Sequence, residues 1–282
     1  MVVSCASLLA RYDMLLCDIW GVLLDGARVH ARAAEALIGF RAQGGSVTLL
    51  TNAPFPAGAV AGVIHDMGVP RAAYDAIVSS GDITRARLTH EGWSRVLHIG
   101  TDRDLPLFAG LDLARGALEE AQGIVCTGLY HERRESAADY DPLLARCLAH
   151  DLPMICANPD LSVEIAGRLI PCAGAIAERY AEQGGSVFFA GKPHGPIYEA
   201  ALAEAERRRG APIARAKVLA IGDGIRTDLV GAAGAGLDAL FITGGLHRAE
   251  LTRDGAIEEA QVAAVLAAYG LSPLAVAPWL AP

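Results

Sequence analysis

Lysine is nearly absent from this chain: of 24 basic side chains, only Lys192 and Lys217 are lysines. Where positive charge alone suffices, the protein uses arginine, so the ammonium in Gly191-Lys192-Pro193 marks a position suited to a compact point charge. Arginine-rich composition has unrelated causes as well, and the weight therefore comes from position: Lys192 follows the apolar run Val187-Phe188-Phe189-Ala190. Positive charge as a whole is in deficit, 24 basic against 32 acidic residues for a net −8, which argues against a nucleic-acid partner. Cysteine pairs are missing too. Six cysteines (5, 17, 126, 147, 156, 172) stand without a C-x-x-C spacing, which excludes a zinc ribbon or thioredoxin-type site, and Cys17, Cys126 and Cys156 read as buried small hydrophobes. No apolar stretch approaches a membrane span, and the first apolar run is broken by Arg11 and Asp13 without a basic start. No membrane partner and no signal peptide are expected, and the expected compartment is cytoplasmic. His131-Glu132 lacks the second histidine of a zincin helix. Gly222-Asp223-Gly224 lacks the third glycine of a dinucleotide fingerprint, where Thr227 stands, and Asp223 would aim negative charge at a pyrophosphate.

What is present is alternation. In 282 residues, 52% of them hydrophobic, short apolar runs alternate with helical stretches, the pattern of a mostly parallel α/β sheet. Strands are expected at 14–18, 46–50, 187–190, 218–222 and 239–243, and helices near 31–43, 56–67, 196–209, 226–235 and 257–269. Arg207-Arg208-Arg209 reads as the solvated C-terminal end of a helix, where positive charge suits the dipole. Between Asn52 and Lys192 lie 140 positions, far more than one crossover connection requires. Further βα alternation inside that interval, at Val96-Leu97-His98-Ile99, Ile124-Val125-Cys126-Thr127 and Pro153-Met154-Ile155-Cys156-Ala157, predicts an inserted α/β domain over 80–186. The expected fold is an α/β, Rossmann-like doubly wound parallel sheet core (1–79 and 187–282) carrying that insertion as a cap. The short apolar tail at 274–278 is read as packing or a dimer contact, which leaves a homo-oligomer open.

Parallel sheets place chemistry at the carboxyl ends of their strands. Asp18, Thr51-Asn52, Lys192, and Asp223 with Asp228 all follow apolar runs. Carboxylates, a hydroxyl and an ammonium converging at one sheet edge would bind a divalent metal and a phosphoryl group. Taken singly, each has a plainer reading as a turn or helix-start residue.

In this order, Asp18-Ile19-Trp20-Gly21-Val22, Leu50-Thr51-Asn52, Gly191-Lys192-Pro193 and Gly222-Asp223-Gly224-Ile225-Arg226-Thr227-Asp228 resemble the haloacid dehalogenase-like hydrolase superfamily. The insertion after the threonine motif, with Ala157-Asn158-Pro159-Asp160 and Gly174-Ala175-Ile176, is similar to subfamily IIA, which has the larger α/β cap and includes nucleotide and p-nitrophenyl phosphate phosphatases. The resemblance implies Asp18 as a nucleophile that forms an aspartyl-phosphate. It also implies Mg2+ held by Asp18, the Trp20 carbonyl, Asp223 and Asp228. Thr51, Lys192 and backbone N–H groups near Gly21 and Asn52 would hold phosphoryl oxygens. Trp20, Asn158 and Asp160 are further candidates for substrate contact.

One position departs from the pattern. Family phosphatases carry a second aspartate two residues after the nucleophile, as proton donor to the leaving oxygen, and here that residue is Trp20, whose indole N–H only donates hydrogen bonds. Asp25 lies nearby as a replacement of low promise. Two alternatives follow. In one, Asp18 attacks an activated phosphoryl group or a halo-acid that needs no proton donor; in the other, the protein is a catalytically weak ligand-binding relative.

Overall fold

The computed structural model describes residues 5–26, 28–165, 168–253 and 256–282, which fall into two compact units. The first comprises Met1–Thr51, Ala61–Val78 and Pro193–Pro282, apart from the undescribed positions. Its six-stranded sheet runs in the order Ala275–Ala277, Asp238–Ile242, Val218–Gly222, Met14–Asp18, Ser46–Thr51, Ala76–Ser79. Met14–Asp18 pairs in parallel with both neighbours, Cys17 lying opposite Ile221 on one side and Leu49 on the other. All five residues of Met14–Asp18 and of Val218–Gly222 are buried, as expected of strands covered on both faces.

Strand order reverses at that central pair. From Met14–Asp18 the chain moves outward through Ser46–Thr51, then returns on the other side at Val218–Gly222. A crevice therefore opens at the carboxyl ends of these two strands, which is where Asp18 and Asp223 stand. The helix Gly195–Arg209 starts with a proline in its first turn and stops at Gly210, whose φ of 71° supplies the left-handed C-cap.

Two edge strands were not apparent in the sequence. Ala76–Ser79 closes one side of the sheet, and the 274–278 tail supplies Ala275–Ala277, paired with Asp238–Ile242 on the other. The stretch near 226–235 is also not one helix: Ile225–Leu229 forms a π-turn that leads into the short α-helix Val230–Gly234.

The second unit comprises Asn52–Val60 and Ser79–Lys192. Its five-stranded parallel sheet runs Val187–Phe189, Met154–Cys156, Ile124–Cys126, Arg95–Ile99, Ala114–Arg115. Alternate side chains build separate cores on its two faces. Ile124, Cys126, Met154 and Cys156 pack with Tyr140, Leu144 and Tyr180, while Val125 and Ile155 pack with Leu88 and Phe108. The run at 187–190, expected in the first sheet, lies here instead, with Val187 and Phe189 against one core and Phe188 against the other. Three apolar residues in a row record burial on both faces without recording which sheet supplies it. All six cysteines are buried and free.

This sheet has its own reversal point, between Arg95–Ile99 and Ile124–Cys126, and a polar chain fills it. Thr127 Oγ1 donates to Asp104 Oδ2 at 2.9 Å and lies 2.9 Å from His98 Nε2. The hydroxyl proton is thereby committed to Asp104, so His98 donates from Nε2. Burial pushes the imidazole down to about 4, consistent with a neutral ring. Among the described residues, no helix is long and apolar enough to cross a membrane.

Candidate active site

Asp18 ends its strand, Asp223 immediately follows Val218–Gly222, and Asp228 lies in the π-turn beyond it. One oxygen from each carboxylate lies within 4.8 Å of the others, although all three residues are buried, Asp18 being 8% exposed, Asp223 4% and Asp228 6%. Three anions drawn this close in a low-dielectric setting repel one another. Hard oxygen donors in this number and spacing suit a small divalent cation such as magnesium, so the residues present fit the metal.

Backbone groups and missing side chains hold the trio in place. Leu246 N–H donates to Asp223 Oδ2 at 2.6 Å, and Gly224 N–H donates to Asp228 Oδ2 at 2.9 Å. A Cβ on Gly21 or Gly245 would overlap the Asp223 carboxylate, and one on Gly222 would overlap Asp228. Gly21 also has φ +87°, open to glycine at little cost. Its N–H donates to Leu24 O at 2.7 Å and closes the turn after Asp18, so its place in the site is steric. The π-turn leaves carbonyls in need of donors, and the buried Tyr198 hydroxyl lies 3.4 Å from both Thr227 O and Asp228 O. Gly245, Leu246 and Tyr198 were not singled out from the sequence. The adjacent Gly244-Gly245 after an apolar strand was the available signal, whereas a tyrosine on an apolar helix face looks like ordinary core.

Thr51 is buried at the end of Ser46–Thr51, one residue beyond Leu50, the register partner of Asp18. Trp20, by contrast, is 39% exposed on the turn after Asp18, where it bridges to Leu24.

Asn52, Asn158, Asp160 and Lys192 belong to the second unit. There the Asn52 side chain clamps the backbone of Lys192: Oδ1 accepts from Lys192 N–H at 2.7 Å and Nδ2 donates to Lys192 O at 3.0 Å. Nδ2 donates also to Asp160 Oδ1 at 2.9 Å. Asn158 Oδ1 accepts from Asp160 N–H at 3.1 Å, and Asp160 O accepts from Gly174 N–H. A Cβ on Gly191 would strike Asn52 Oδ1, which explains the glycine before the lysine. Asn52→Ala strips partners from the buried Lys192 backbone and from Asp160. At about 1–3 kcal/mol per orphaned buried group, with partial relaxation, a net loss of about 3 kcal/mol is expected in urea unfolding.

A haloacid dehalogenase-like hydrolase family model matches residues 15–114, and a second, HAD-hydrolase-like model matches residues 189–269. The crystal structure of a haloacid dehalogenase-like hydrolase from Brucella suis is 43% identical, covers 99% of this chain and 100% of its own, and superposes with a TM-score of 0.87. A possible sugar phosphatase of the HAD superfamily from Cytophaga hutchinsonii is 20% identical, with 100% and 99% coverage and a TM-score of 0.80. The glycerol phosphate phosphatase Rv1692 from Mycobacterium tuberculosis, solved in complex with magnesium, is 23% identical over 84% of this chain and 70% of its own, with a TM-score of 0.64. At these identities the last two are likenesses of fold. A search of curated proteins found no match.

Proposed function

Since the chain belongs to the haloacid dehalogenase-like hydrolases, we propose that it is a magnesium-dependent phosphatase of a small phosphorylated metabolite. The observation that carries this reading is the buried trio Asp18, Asp223 and Asp228, with one oxygen of each within 4.8 Å of the others. Support for the substrate class comes from relatives of the same fold described as a possible sugar phosphatase and a glycerol phosphate phosphatase.

In this reading Asp18 attacks phosphorus through one carboxylate oxygen and forms an aspartyl-phosphate, which water then hydrolyses. Asp223, Asp228, Asp18 and the Trp20 carbonyl would hold the cation, which would offset the repulsion between the carboxylates and the incoming phosphate and polarise the phosphoryl oxygens. Thr51 donates its hydroxyl to a phosphoryl oxygen. Lys192, its backbone fastened by Asn52, supplies positive charge to the phosphoryl group. That the second unit is a cap that selects the substrate belongs to the same proposal, as does cytoplasmic residence.

The test is phosphate release from a panel of phosphorylated metabolites, with magnesium and after its removal by chelation. Turnover that appears only with the metal and returns on its readdition is expected. Equal rates with and without it would sink the metal-dependent mechanism.

A further inference from the structure

Lys192 is held at its backbone by a side chain 140 positions away. Ala190 N–H still pairs with Cys156 O at 3.0 Å, continuing the ladder between Val187–Phe189 and Met154–Cys156. Two residues on, the Asn52 amide gives Oδ1 to Lys192 N–H and Nδ2 to Lys192 O, the exchange of donor and acceptor that a neighbouring strand would make. An amide does this in one orientation only. Turned over, it would set oxygen against oxygen and NH2 against N–H. Nδ2 donates also to Asp160 Oδ1, and a carboxylate accepts without donating, so Asp160 demands the same orientation. Asp160 is itself anchored without help from Asn52. Its O accepts from Gly174 N–H at 3.2 Å, its N–H donates to Asn158 Oδ1 at 3.1 Å, and a Cβ on Gly174 would overlap Pro159 O and Asp160 O. The loop thus lies flush on the first turn of the helix Ala173–Glu182. The Pro159 ring would also meet a Cβ on Gly191, so the loop reaches the turn before Lys192 by packing as well. Asp160, Asn52 and Lys192 all belong to the second unit. Lys192 is only 3% exposed, and in a close-packed setting its side chain has little room to correct a displaced backbone.

We propose that Asp160 is a positioning residue: through the Asn52 amide it fixes the Lys192 backbone, and with it the place at which the ammonium meets a phosphoryl group. The inference rests on Lys192 serving the phosphoryl group, as in the reading above. It gives Asp160 a part in every turnover, whatever organic body the substrate carries, in place of contact with that body.

Inorganic phosphate has no organic body and is the probe, titrated calorimetrically into the protein with excess magnesium. Asp160→Ala should weaken phosphate binding about tenfold and lower kcat/KM for glycerol phosphate and 4-nitrophenyl phosphate by the same factor, inside the loss of about 10²-fold that about 1 Å of misplacement can cost. Asp160→Asn keeps an oxygen that accepts from Asn52, and it should return both quantities nearly to the parent values. In the Asn52→Ala background, Asp160→Ala should change phosphate affinity little further, because the path is already cut. Should Asp160→Ala fail to fold, Asp160→Leu replaces it, filling the space without an acceptor. Phosphate affinity unchanged in the Asp160 variant would overturn the proposal, even with a lowered urea midpoint, since a purely structural part moves only the midpoint. Unequal losses for the two substrates, or full additivity with Asn52→Ala, would overturn it as well. Lys192→Ala tests the reading underneath. Unchanged phosphate affinity there would remove Lys192 from the phosphoryl group and this inference with it, whereas a loss there with none in Asp160→Ala sinks this inference alone.

Discussion

Asp18→Asn is expected to lower kcat for phosphate release by about 10⁴-fold or more, the scale on which enzymes lose activity when a covalent nucleophile is removed. The substitution keeps the shape of the side chain, which matters at a position only 8% exposed and packed at the end of a fully buried strand. It removes the two properties the reaction needs, a negative oxygen to attack phosphorus and a charged ligand for the cation. An amide oxygen is too weak a nucleophile for the first and still a fair donor for the second. Saturating magnesium should therefore fail to restore the rate, and that distinguishes loss of the nucleophile from loss of the metal. Initial rates measured across a magnesium titration provide the check. A variant that keeps activity within tenfold of the parent would remove Asp18 from the chemistry.

The residues in that argument were visible in the sequence because of where they fall. Asp18 and Asp223 each follow an apolar run at the carboxyl end of a strand, where parallel sheets place their chemistry. Val187–Phe189 shows the limit of the same signal. Its apolar run announces a buried strand, yet pairing with Met154–Cys156 rather than with Met14–Asp18 depends on long-range packing that three residues do not encode. Edge strands were harder still. Ala76–Ser79 and Ala275–Ala277 are short and contain alanine, which favours helices in isolation. Around the trio, the sequence pointed to charged groups and missed what holds them. Gly245 makes room, the Leu246 N–H donates, and Tyr198 tends the π-turn. None of these carries a chemical signature outside its three-dimensional setting. Asn52 is the reverse case. Its polar side chain drew attention as a contact for substrate, and the structure engages it in the Lys192 backbone and Asp160.

Stability should respond to the same carboxylates with the opposite sign from activity. Two charges within 4.8 Å of each other at an effective dielectric of about 20 repel by about 3–4 kcal/mol, a repulsion that a bound cation offsets. Magnesium at a hundred times its dissociation constant returns about 2.7 kcal/mol, and at about 2–4 °C per kcal/mol the melting temperature should rise by about 5–10 °C. Asp18→Asn relieves two of the three repulsive pairs. The variant should melt several degrees above the parent without metal and gain less than the parent on its addition. Thermal melts of both proteins, chelated and with excess magnesium, decide the matter. A variant less stable than the parent when chelated would show that the buried acids are already neutralised by other means, such as bound protons or hydrogen bonds. A magnesium shift of the same size in both proteins would show that the cation binds away from Asp18. The predicted crossing, a gain in metal-free stability alongside a loss of turnover, is what a site strained for its ligand should display.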